Sequence, residues 1–143
     1  MLRNIPALLS PELLYALRAM GHGDDLVIAD ANFPAQSTAR QVIRLDGVSA
    51  TEALAAILQL LPLDTFVTEP VLTMQVVGDA SAVPDVVHEF QRIVNEVADH
   101  PVRLGSLERF AFYQQARNAF VIVQTGEQRL YGNIILKKGV IRP

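Results

Sequence analysis

Cysteine is absent from this chain. That excludes disulfides, thiolate nucleophiles and zinc held by sulfur. Charge is sparse as well: charged residues make up 19% of the sequence and the formal net charge is −3. The longest basic cluster is Lys137-Lys138 with Arg142 nearby, too little to neutralise a row of phosphates, so nucleic acid is not an expected partner. Long apolar runs are missing too. None approaches the ~20 residues a membrane helix needs, and Met1 to Pro6 lacks the apolar stretch of a signal peptide. No His, Asp or Glu grouping has metal-ligand spacing, and no serine sits in a nucleophile elbow. Gly21-His22-Gly23 lacks the third glycine and the strand–turn–helix order of a phosphate loop. What these absences leave is a soluble, cytoplasmic protein with no metal, no cofactor and no membrane partner.

What is present is an apolar surplus. Half of the 143 residues are hydrophobic, enough for one domain over residues 1–143 with a real core. In so small a domain the surplus also suggests surface covered by other copies, so a homo-oligomer is expected. Ser10-Pro11-Glu12 opens a helix, with a capping serine and a proline at the first helical position. Leu26 to Ala29 reads as a buried strand ending at Asp30, followed by a loop to Ala35. Gln41 to Leu45 is a strand candidate. Ser49 and Glu52 form a capping box for an alanine- and leucine-rich helix running to Leu61. Val71 to Val77 predicts a strand. Pro84 to Ala98 predicts an amphipathic helix with Val86, Val87, Phe90, Ile93, Val94 and Val97 on one stripe. A shorter helix is expected over Leu107 to Ala116, capped by Ser106. Phe120 to Gln124 and Asn133 to Leu136 predict the last strands. The alternation implies an α/β fold, a three-layer αβα sandwich around a mostly parallel sheet.

Four places carry candidate chemistry. His22 stands between two glycines on a loop, where an exposed imidazole can give and take a proton near neutrality, or be only a surface histidine beside a helix stop. Asp30 follows a buried strand, where α/β folds place ligands; it is equally a turn-forming aspartate. Tyr131-Gly132-Asn133 offers a phenol, a carboxamide and room for close ligand approach, or is simply a turn into a strand. Arg109, next to Phe110, Phe112 and Tyr113, can fork onto two hydroxyls, although aromatics at helical spacing are usually core. His88 and His100 carry no such pattern.

Taken in order, these motifs are specific. Leu8 to Leu14, Met20-Gly21-His22-Gly23-Asp24, Ala29 to Pro34, Arg109, Thr125-Gly126-Glu127 and Tyr131 to Leu136 together resemble the L-fucose mutarotase and ribose pyranase family. The resemblance spans nearly the whole chain. It implies a small, cytoplasmic, cofactor-free isomerase that interconverts anomers of a free monosaccharide and forms homo-oligomers, typically decameric rings. It implies His22 as the catalytic acid and Asp30, Arg109, Tyr131, Gly132 and Asn133 as sugar-contacting positions. Arg109, where ribose-type members tend to have histidine, and Tyr131-Gly132-Asn133 lean toward L-fucose. The alternatives are pyranose–furanose exchange of D-ribose and a sugar-binding oligomer without catalysis. Opening a cyclic hemiacetal needs a proton taken from the anomeric hydroxyl and one given to the ring oxygen. On this reading His22 gives the proton, and Asp30 holds a hydroxyl or fixes the His22 tautomer. The base lies among Tyr131, Asp30 and a water.

Overall fold

A computed structural model describes all 143 residues. The first helix, α1 (Pro11–Ala19), begins as its sequence dictates: the Ser10 hydroxyl accepts from Leu13 N at 3.2 Å and Pro11 takes the first turn. It buries Leu13, Ala16 and Leu17. Strand β1 (Asp25–Ala29) follows, then a single-turn helix α2 (Ala35–Thr38) and strand β2 (Val42–Leu45). Helix α3 (Ala50–Leu58) carries the full Ser49–Glu52 capping box. Strand β3 (Val71–Met74), helix α4 (Asp85–Val97) and strand β4 (Gly105–Leu107) come next. Helix α5 (Arg109–Asn118), strand β5 (Val121–Thr125) and strand β6 (Ile134–Lys137) complete the order.

The six strands form one sheet in the order β2-β5-β1-β6-β3-β4. Parallel pairing joins β1 to β5, β2 to β5 and β3 to β4. Strand β6 runs antiparallel to both its neighbours, β1 and β3, and sits inside the sheet rather than at an edge. The central strands alternate between two cores, as the period of two requires. Leu26, Ile28, Val121, Val123, Ile134 and Leu136 face α1, α3 and α4. Val27, Ala29, Ile122 and Ile135 face α2 and α5, around Phe33 and Phe112. This is the expected three-layer αβα arrangement, and burial on both faces explains why these strands read as continuous apolar runs. No helix is long and apolar enough to cross a membrane.

Several boundaries differ from the sequence reading. The last helix is not capped by Ser106. Ser106 is the middle of β4, paired with Thr73, and the cap is Glu108, whose carboxylate accepts from Phe110 N and Ala111 N. Strand β3 stops at Met74 instead of Val77, because the chain turns at Val76–Asp79 through Gly78 at φ +80°. Helix α3 ends at Leu58, and Leu60 N turns back to Ile57 O. The loop after Asp30 leads into α2, a short helix that the sequence reading did not assign.

Candidate active site

Two polar constellations stand out, at opposite ends of the sheet. The first lies beyond the carboxyl ends of β1, β3 and β4, where α/β sheets open toward ligands. Asp30 leaves the end of β1 and Asn133 enters β6 beside it. Asp30 N donates to Asn133 Oδ1 at 2.8 Å, and Asn133 Nδ2 donates back to Asp30 Oδ2 at 2.8 Å. Asn32 N donates to Asp30 Oδ1 at 2.9 Å. Both side chains are buried. Burial pushes the Asp30 carboxyl above its ordinary range, outweighing the hydrogen bonds from Asn32, Asn133 and Phe33, and the nearby Glu127 charge adds to the rise.

Tyr131 adopts φ +64°, an uncommon left-handed conformation for a bulky residue. Its hydroxyl accepts from Val77 N at 3.1 Å, which leaves the phenolic O–H free to donate. Arg109 opens α5 on the far wall. Its Nε is buried without a hydrogen-bond partner, and its guanidinium lies 4.7 Å from the centre of the Phe110 ring. Together Asp30, Asn32, Phe33, Met74, Arg109, Tyr131 and Asn133 line a cleft of about 190 Å³. An orphaned N–H in such a wall calls for an acceptor. The set offers one carboxylate, a phenol, two carboxamides and a guanidinium beside apolar walls, a lining suited to a small polyhydroxy compound.

Beneath the cleft is an ion pair that sequence reasoning missed. Buried Glu127 accepts from Arg129 Nε and Nη2, each at 2.9 Å, and from Arg129 N at 3.0 Å. Arg129 reaches on to Glu89 of α4 at 2.9 Å. The bonds from Arg129, working against burial, bring the Glu127 carboxyl down to about 2. Gly132 does not line the cleft. A Cβ there would stand 2.6 Å from Glu127 Cγ, so the glycine makes room for protein, not for ligand.

The second constellation is at the other end of β1. His22 Nε2 lies 2.9 Å from Asp64 Oδ1. The imidazole is 42% exposed while Asp64 is buried. With the Nε2 proton directed at the carboxylate, Nδ1 is left free toward solvent. Burial raises the Asp64 carboxyl, but hydrogen bonds from His22 and Phe66 N outweigh it and hold it below the usual carboxylate range. Lys138 fixes the loop: its Nζ donates to Leu17 O and Met20 O, and its main-chain O accepts from Gly23 N.

Residues 3–141 match the model of the RbsD / FucU transport protein family. The chain belongs to this family. It is 49% identical to the fucose mutarotase of Bos taurus, over 99% of this chain and 95% of that one. It is 46% identical to an L-fucose mutarotase of Haemophilus influenzae, over 98% of this chain and 97% of that one. Among solved structures it is similar to the fucose mutarotase of Streptococcus pneumoniae in complex with L-fucose, with TM-score 0.92, 42% identity and coverage of 99% and 100%. Bacillus subtilis RbsD complexed with D-ribose shares the fold at TM-score 0.76 and 21% identity, over 99% of this chain and 100% of that one.

Within this RbsD / FucU family chain, the structure brings together Asp30, Arg109, Tyr131 and Asn133, and leaves His22 apart. The expectation that Asp30 fixes the His22 tautomer is overturned. The two residues flank the same five-residue strand, which at ~3.3 Å per residue separates its ends by about 17 Å. Asp64 takes the partner role. Nothing local marked it, since it lies 42 residues from His22, but an aspartate one residue after Pro62-Leu63 turned out to be buried.

Proposed function

We propose that this chain is a cytoplasmic mutarotase that interconverts the α and β anomers of free L-fucose, assembled as a homo-oligomer in which each sugar site draws on two copies. The observation that carries the reading is the cleft lining: Arg109, whose buried Nε–H has no acceptor within the chain, lines the same space as Asp30, Tyr131 and Asn133. Such a wall suits a neutral, hydroxyl-rich ligand better than a phosphate or an apolar one. The full-length likeness to fucose mutarotases supports the choice of sugar.

In the proposed mechanism Asp30, Arg109, Tyr131 and Asn133 hold the hydroxyls. A base in the cleft, the Tyr131 oxygen, Asp30 or a water, takes the proton from the anomeric hydroxyl. Its electron pair forms the C1 carbonyl, the bond from C1 to the ring oxygen breaks, and protonated His22 gives its proton to that oxygen. Rotation about C1–C2 presents the other face of the aldehyde, and the reverse steps close the ring. Each proton transfer is worth about 10²–10⁴-fold. Asp64, hydrogen-bonded to Nε2, fixes the tautomer and returns the imidazole to one orientation after each turnover.

His22 of one chain cannot reach the cleft of the same chain, so the imidazole is supplied by a neighbour. Exposed apolar side chains at both ends support this: Phe66 and Val67 near His22, and Val77, Phe110 and Leu130 around the cleft. Exposed apolar groups clustered at polar sites are what subunit contacts cover. Ten copies is the number the resemblance implies. Saturation transfer between the α and β anomeric protons, with and without enzyme, tests the activity. Exchange of L-fucose faster than that of D-ribose is expected; rates on both sugars equal to the spontaneous ones would end the proposal.

A further inference from the structure

The proposed acid has an aromatic companion. Asp64 Oδ1 lies 2.9 Å from His22 Nε2 and accepts from the Phe66 main-chain N–H at 3.2 Å. One buried oxygen therefore sets both the imidazole and the residue two positions along. The Phe66 ring lies 4.9 Å from the imidazole ring, tilted by 53°, and is 66% exposed. It belongs to neither apolar core. A phenyl ring held outside the core yet tied to a proton donor is placed to touch what the donor touches.

The chemistry then says which part of the sugar that is, given the reading that His22 protonates the ring oxygen. In fucopyranose the ring oxygen is bonded to C1 and C5, and C5 bears the C6 methyl. Within hydrogen-bond reach of the ring oxygen, an imidazole has these two edges of the sugar beside it. The C1 edge carries the hydroxyl that must lose a proton, and it needs polar groups. The C5–C6 edge is apolar. We propose that Phe66 is a specificity-determining residue whose ring takes the C6 methyl, so that the protein favours 6-deoxy sugars over a pentose lacking C6 or a hexose with a hydroxyl there. An apolar contact with one methyl group discriminates by about tenfold or more, and a hydroxyl pressed on a phenyl ring loses hydration without a partner.

Three sugars test this with the assembled protein. L-Fucose carries the methyl, D-arabinose has the same ring configuration without C6, and L-galactose has a hydroxyl at C6. Anomer exchange is measured as kcat/KM for wild type, Phe66→Ala and Phe66→Leu. Wild type is expected to favour L-fucose over both others by about tenfold or more. Phe66→Ala is expected to lose about tenfold more on L-fucose than on D-arabinose, and Phe66→Leu, which keeps an apolar contact, to fall between. Equal losses on the two sugars would overturn the proposal, since a ring that merely steadies His22 affects both alike. The same comparison with Phe66→Leu decides if the alanine variant does not assemble. Wild type that exchanges none of the three sugars would overturn the mutarotase reading itself, a result distinct from exchange without selectivity.

Discussion

Asp30 and Asn133 hold each other by a reciprocal pair of hydrogen bonds, main-chain N–H to carboxamide oxygen and carboxamide N–H to carboxylate, each 2.8 Å. The pair ties the end of β1 to the start of β6 where those strands run antiparallel. Asn133→Ala leaves the Asp30 N–H and one carboxylate oxygen without partners in a buried place. The expected loss of stability is about 1–3 kcal/mol, read from denaturant unfolding. Exchange activity should fall further than stability alone explains, because the carboxylate is then free to turn away from the cleft. An Asn133→Ala protein with wild-type kcat and KM would show that this pair serves the fold only.

His22 and Asp64 should separate function from stability in the opposite sense. His22 is 42% exposed, and Asp64 keeps its hydrogen bond from Phe66 N when the imidazole is removed, so His22→Ala should cost only about 1 kcal/mol of stability. Anomer exchange should drop by about 10²-fold or more. His22→Gln keeps a hydrogen bond to Asp64 but moves no proton, and should be nearly as slow. Asp64→Asn keeps the shape and removes the carboxylate that fixes the tautomer and orientation of the imidazole. Its kcat is expected to fall by about tenfold or more while KM changes little. Normal exchange in folded His22→Ala and His22→Gln would remove His22 from the mechanism.

Glu127 gives a pH signature of its own. Its carboxyl is held at about 2 in the folded protein against 4.5 when free. A depressed carboxyl contributes stability above the unfolded value, and that contribution fades as pH falls toward the folded value. Wild type should therefore be more stable than Glu127→Gln at neutral pH, by about 2 kcal/mol after allowance for the half-exposed Arg129. The gap should close progressively as pH drops from about 4.5 to about 2. Unfolding curves for both proteins across that range check this. A gap that stays constant with pH would mean that the carboxylate's charge contributes nothing and only its packing under Gly132 counts.

Patterns confined to one element were legible in the sequence. Ser10-Pro11, the Ser49–Glu52 box and the apolar stripe of α4 all reappear as read, because capping and amphipathicity need no distant partner. The cleft residues Asp30, Tyr131 and Asn133 could each be singled out at a strand end, but each also read as an ordinary turn residue, and only the family resemblance joined them; the sheet is what brings them together across 103 residues of chain. What stayed hidden depended on tertiary neighbours. Asp64 acquires meaning only when β6 brings the 62–64 segment against the His22 loop, through Asp64 N to Lys137 O and Gly139 N to Pro62 O. Gly132 looked like room for a ligand because Glu127, which fills that room, is adjacent only once the turn between β5 and β6 has closed. Strand β4 was read as a helix lead-in, since three residues at a sheet edge carry no period. The pairing of His22 with Asp30 failed on distance: a straight strand holds its two flanks apart.

That separation also yields the sharpest expectation. If each sugar site takes His22 from one copy and the cleft from another, two inactive chains can repair each other. His22→Ala has an intact cleft and no acid. Arg109→Met has an intact His22–Asp64 pair and a cleft without its guanidinium. Each homo-oligomer should be nearly inactive. When the two are unfolded together and refolded at equal ratio, subunits mix at random. A site then combines a wild-type cleft with a neighbour's wild-type His22 about one time in four, so about a quarter of wild-type exchange is expected. Mixing the folded homo-oligomers without unfolding should give far less until subunits exchange. Dilution should lower specific activity in the wild type as well, since a lone chain holds only half of each site. Co-refolded variants that stay as inactive as their parents would rule out the shared site, and would leave His22 and the cleft as two unconnected features of one chain.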